Sequence, residues 1–117
     1  MSNLTFEQFQ QQSNKTVKKH ESTKDAILDA ILGLNGEVGE VTEVIKKHLY
    51  HNKGTLKEVQ TKLCEELGDV LWYLQNLATT CGISLEVIAE LNLEKLQKRY
   101  PEGYSHEQSK QGRNDIR

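Results

Sequence analysis

Residues 27–45 read ILDAILGLNGEVGEVTEVI, and their apolar spacing decides the fold. Ile27, Ile31, Leu34, Val38, Val41 and Ile45 recur at steps of 4, 3, 4, 3 and 4. That is the period of one helix face. The same steps return in Leu63, Leu67, Val70, Leu74, Leu77 and Cys81. Between the two runs lie Asn52-Lys53-Gly54, suited to a left-handed turn, and Thr55 with Glu58, spaced as a capping box. The pattern predicts two long helices joined by a short turn, an antiparallel hairpin whose apolar seams face each other.

Working outward, the first helix is expected over residues 6–19, capped by Thr5 with Gln8. Its apolar face is sparse (Leu4, Phe6, Phe9, Val17), so it must dock on something to persist. Ser22 or Thr23 caps the second helix, which runs from near Lys24 to Tyr50 or His51. Gly82 closes the third, and Ser84 opens a fourth that stops at Tyr100-Pro101. After Gly103 the chain is polar and aperiodic, which reads as a mobile tail or one ordered only against a partner. The expected architecture is all-α: a four-helix-bundle core on the hairpin, one domain over residues 1–103 and a polar tail over 104–117.

Composition narrows the function. The chain has 117 residues, 27% charged, with a net charge of −2, which favours neither nucleic-acid nor membrane-surface binding. No apolar run approaches the roughly 20 residues of a membrane span, and the Gln-rich start is not a signal peptide. Cys64 and Cys81 fall on one helix, about 25 Å apart, beyond disulfide reach. They read as reduced core residues of a cytoplasmic protein.

Two acidic pairs carry the chemistry. Glu37/Glu40 and Glu66/Asp69 each stand at i,i+3 beside the seam of their helix. Four carboxylates brought together would repel, and a divalent cation with oxygen ligands is their natural partner. Ordinary solvated boundary charges are the competing explanation, since acids make up 17 residues of the chain. Gly36, Gly39 and Gly68 weigh against it. Each costs a helix about 1 kcal/mol relative to Ala, so their presence suggests a close approach of helix or ligand. Lys46, Lys47, Asn92, Lys95 and Arg99 could offset the charge of a polyphosphate. Trp72 or Tyr73 could stack on a base or pack in the core.

The segments LNGEVGEVTEVIKK (34–47), EELGDVLWYLQNLA (65–78) and NLEKLQKRYPEG (92–103) resemble the MazG-like all-α nucleoside triphosphate pyrophosphohydrolases. The resemblance implies Mg²⁺-dependent hydrolysis, with Mn²⁺ as a substitute ion, of an NTP or dNTP to the monophosphate and pyrophosphate. It assigns Glu37, Glu40, Glu66 and Asp69 to metal and catalysis, and Asn92, Lys95, Arg99 and Tyr100 to the substrate. It also implies a homodimer or homotetramer, which the apolar residues off the seams (Ala30, Val44, Leu71, Ala78) favour independently. Two other readings stand beside it: a non-catalytic helical interaction module, and a phosphoribosyl-nucleotide pyrophosphatase of the same superfamily.

Overall fold

A computed structural model describes residues 3–115, with side chains through residue 110. Five helices follow in order: α1 (Phe6–Asn14), α2 (Thr23–His51), α3 (Leu56–Thr80), α4 (Leu85–Arg99) and α5 (His106–Asp115). Among the described residues there is no strand, and no helix is long and apolar enough to cross a membrane.

The starts of these helices follow short-range chemistry. The Thr5 hydroxyl accepts from the Gln8 amide, and the Gln8 side chain accepts from the Thr5 amide. Ser22 accepts from the Asp25 amide, and Ser84 from the Glu86 and Val87 amides. At Thr55 only half of the expected box forms. Its hydroxyl accepts from the Glu58 amide, while the Glu58 carboxylate turns to that hydroxyl instead of the backbone. Helix α2 ends on Asn52 in the left-handed region (φ 49°), and Gly54 (φ 84°) completes the turn. Gly82 (φ 73°) ends α3 as expected.

Three expectations are corrected. Helix α1 stops at Asn14, five residues short. The Thr16 hydroxyl donates to the Ser13 carbonyl at 2.6 Å and accepts from Trp72 Nε1 at 2.8 Å, which pulls the chain out of the helical path. The segment after Gly103 is not irregular throughout, because residues 106–115 form α5 against the end of α4. Residues 1, 2, 116 and 117 of the two expected segments lie outside the described residues.

The third correction concerns the hairpin itself. Helices α2 and α3 pack along their length, as the short turn requires. Their seams, however, do not face each other. Ile31, Val38, Ile45 and Leu67 are all more than a third exposed, and the rest of both seams is at best half-buried. The contact runs through small residues instead. Ala30 is fully buried, and Gly33 lies against the Tyr73 ring. At 100° per residue both seams turn to the same side of the hairpin, giving one open apolar face. Among the described residues little is therefore buried: Ala30, Val59, Ala78 and Leu85, with Gln75 and Asn76 as polar core members. Both cysteines are free, but exposed and not in the core.

Helix α1 braces the far end of the hairpin. It packs on α3 and α4 through Gln10, whose amide donates to Thr79 Oγ1 (2.8 Å) and the Ile83 carbonyl (2.9 Å). The Gln10 carbonyl accepts from the Leu85 amide at 2.8 Å. One side chain thus joins the end of α3 to the start of α4.

Candidate active site

The hairpin brings the two acidic pairs to one place. Glu37 stands one turn after Gly33 and shares its face of α2, so the contact that seats Tyr73 also aims Glu37 at α3. Glu66 and Asp69 stand a turn or two before Tyr73 and face back. One carboxylate oxygen each from Glu37, Glu66 and Asp69 lies within 4.8 Å of the other two. Glu37 and Glu66 are half-buried and Asp69 is exposed. Glu40 is exposed and lies outside this tight triad, yet its charge is felt. Partial burial raises the proton affinity of Glu37 above the ordinary value of 4.5, and the charges of Asp69, Glu66 and Glu40 add to the rise.

Around the triad the helix surface is bare. A Cβ added at Gly36, Gly39 or Gly68 would meet nothing within the chain. These glycines make no close approach to another helix of the chain, so of the two expected reasons for them helix packing within the chain is excluded. That role falls to Gly33, where a Cβ would overlap the Tyr73 ring. The signal for Gly33 in the sequence is its place four residues before Glu37, on the acid-bearing face.

The expected substrate residues fall in three separate places. Lys47 lines a hollow of about 310 Å³ near the hairpin turn, while Lys46 pairs with Glu43 at 3.7 Å. Asn92 and Lys95 line a mostly apolar hollow of about 680 Å³ with Phe6, Leu71, Leu74 and Leu85. Arg99 lies over the Tyr100 ring, 5.8 Å from its centroid, and Tyr100 tilts against Tyr104. The hollow that Asn92 and Lys95 line includes no member of the triad. Trp72 and Tyr73 are engaged structurally, with Thr16 and Gly33 respectively.

Lys62 was not anticipated. Its Nζ lies 3.3 Å from Glu66 and 3.6 Å from Glu65. Hydrogen bonding to Glu66 raises its proton affinity above the ordinary value of 10.5, keeping it charged. The i,i+4 spacing from Lys62 to Glu66 was the available signal.

The donors fit a hard divalent cation: all are carboxylate oxygens, drawn from two helices and close enough to share one ion. With that geometry in view, the family comparison decides the kinship. The model for the MazG nucleotide pyrophosphohydrolase domain matches residues 25–104. The chain belongs to this family. The matched MazG stretch begins in the first turn of α2 and runs past the end of α4, so α1 and the whole of α5 lie outside it. A relative, the "Gene 37 protein" of Mycobacterium phage L5, is 40% identical over 73 residues. The match spans 62% of this chain and 64% of the relative, whose name says nothing of activity. No solved structure matches the chain.

Proposed function

We propose that this MazG-family chain hydrolyses a nucleoside triphosphate, NTP or dNTP, to the monophosphate and pyrophosphate. The observation that carries the proposal is the triad, with carboxylates of like charge drawn within 4.8 Å. Such an arrangement is unfavourable by itself and becomes favourable with a cation between them. Glu37, Glu66 and Asp69 would hold Mg²⁺, or Mn²⁺ in its place, with Glu40 at the rim. The ion supplies Lewis acidity toward phosphate oxygens and lowers the pKa of water.

The protein's own part is positional and protolytic. Water attacks the α-phosphorus, and the bond from that phosphorus to the α,β-bridging oxygen breaks. Pyrophosphate leaves with the electron pair, and a carboxylate of the cluster or the neighbouring Glu65 accepts the proton of the water. Lysines beside the cluster offset the charge gathering on the leaving group. A nucleotide substrate and two free cysteines suit the reducing cytoplasm.

The proposal extends to assembly. The open apolar face of the hairpin, together with exposed Val87, Leu91 and Leu93 on α4, fits a second copy of the chain. A homodimer, or a tetramer built as a dimer of dimers, would complete the four-helix core that one chain leaves open. Asn92, Lys95, Arg99 and Tyr100 of one copy would then approach the triad of another.

The test is incubation with a panel of canonical and modified NTPs and phosphoribosyl nucleotides, with detection of released pyrophosphate. Mg²⁺-dependent release from an NTP, lost in Glu66→Gln, is expected; unchanged turnover in that variant removes the triad from the reaction. The exposed apolar face also favours a second reading, a non-catalytic helical interaction module. That module would gain no thermal stability from millimolar Mg²⁺, whereas an ion site occupied at about 100 times its Kd adds about 2.7 kcal/mol.

A further inference from the structure

Lys62 belongs to two neighbourhoods at once. On one side its ammonium bridges Glu66 of the triad and Glu65. On the other it lines the hollow of about 310 Å³ at the closed end of the hairpin, together with Lys47, Lys53 and Glu58. Three lysines therefore meet one carboxylate there, and the Glu58 carboxylate is already engaged by the Thr55 hydroxyl at 3.2 Å. The end of α2 and the start of α3 meet at this turn with opposed dipoles, so the lysines set the sign of the field. Val44 and Val59 give the hollow an apolar floor, the lysine ammonium groups supply its charge, and Lys62 stands one helical turn, about 6 Å, from Glu66.

We propose that this lysine-lined hollow is the pyrophosphate end of the substrate site. The proposal rests on the hydrolytic reading above and gives the substrate a direction. The α-phosphate lies at Glu37, Glu66 and Asp69, the β- and γ-phosphates run toward Lys62, Lys53 and Lys47, and the nucleoside points away from the hairpin turn. A row of linked phosphates is the chemistry that needs acid-held metal at one end and ammonium groups at the other. In the empty site Lys62 is the counter-ion of Glu66. With a cation on the triad, its flexible stem can carry that charge to the departing phosphates.

The test uses the full chain with inorganic pyrophosphate and Mg²⁺ in isothermal titration calorimetry, alongside Mn²⁺ alone and a nucleoside monophosphate. Lys53→Ala combined with Lys62→Met is expected to weaken pyrophosphate binding by about tenfold or more. Mn²⁺ affinity and inhibition by the monophosphate should stay within roughly threefold of the parent protein. Arginine at both positions should restore binding, which guards against a variant that merely folds poorly. Three results overturn the proposal: no pyrophosphate binding by the parent protein, pyrophosphate affinity indifferent to the lysines, or equal losses for pyrophosphate and Mn²⁺. The last would make Lys62 only a support for Glu66. Turnover of NTP by the parent protein is scored separately. Lysine-dependent pyrophosphate binding without turnover would keep the hollow and remove the reaction, and turnover with lysine-independent binding would do the reverse.

Discussion

The ring of Tyr73 fills the space that a side chain at Gly33 would need. This contact sets the spacing of α2 and α3 one turn from Glu37, so helix approach and carboxylate placement are the same event. Gly33→Ala forces the ring or the helix to move. Overpacking costs about 1–3 kcal/mol, against a gain of roughly 1 kcal/mol in helix propensity, for a net loss of up to about 2 kcal/mol. Gly36→Ala meets no atom and should gain up to about 1 kcal/mol. Urea unfolding of both variants checks the contrast. A loss at Gly36 as large as at Gly33 would mean that something packs on α2 there in the assembled protein.

Glu37 gives the stability a pH dependence with a definite sign. Its carboxyl binds a proton more tightly in the folded chain, above the ordinary 4.5. Folding is therefore disfavoured by this group as pH rises. The penalty is absent below pH 4.5 and complete above the raised folded value. In EDTA, thermal midpoints of the parent protein should fall relative to Glu37→Gln as pH climbs through that window. With Mg²⁺ present the ionised form is the one bound, so the stabilisation by the ion should grow with pH. A parent-minus-variant difference that is flat with pH in EDTA would contradict the crowding of the triad.

Gln10 should matter more than an exposed glutamine usually does. Its amide makes three hydrogen bonds that span α1, the end of α3 and the start of α4. At about 1 kcal/mol each, moderated by partial exposure, Gln10→Ala should cost about 2 kcal/mol. Faster amide exchange at Leu85 would locate the loss. An effect below about 0.5 kcal/mol would mean that α1 is held by something else.

Much of this was legible in the sequence because it is local. Thr5, Ser22, Thr55 and Ser84 cap helices through bonds to residues two or three positions away, and spacing reveals such bonds. The acid pairs likewise declare themselves by i,i+3 spacing. What spacing hides is the direction in which a seam looks. Two helices of identical period can face each other or stand side by side, and here a glycine and an alanine, not the branched residues, line the contact. The partner of Gly33 lies forty residues away, so local spacing carries no trace of the contact. The Gln10 bonds reach across 69 to 75 residues and leave no local trace. Helix α5 follows a proline and has no apolar stripe, so neither periodicity nor composition announced it.

Assembly is open to direct measurement. Light scattering at micromolar concentration should give a mass of two or four chains. A mass near 13.4 kDa would show a monomer and end the proposal of a second copy on the hairpin face. Mixing a Glu66→Gln chain with one truncated after Gly103 should restore activity only if sites draw on two chains.

The thin core has a consequence for how the protein behaves when scarce. Among the described residues, four buried apolar side chains, two of them alanines, are a small reserve against the conformational entropy lost on folding. If the missing burial comes from a neighbour, folding is a bimolecular equilibrium and obeys mass action. Dilution then acts as a denaturant. The melting temperature should climb with each increase in protein concentration, and activity per chain should fall away on dilution as partners separate. A cell would hold this protein inactive simply by making too little of it.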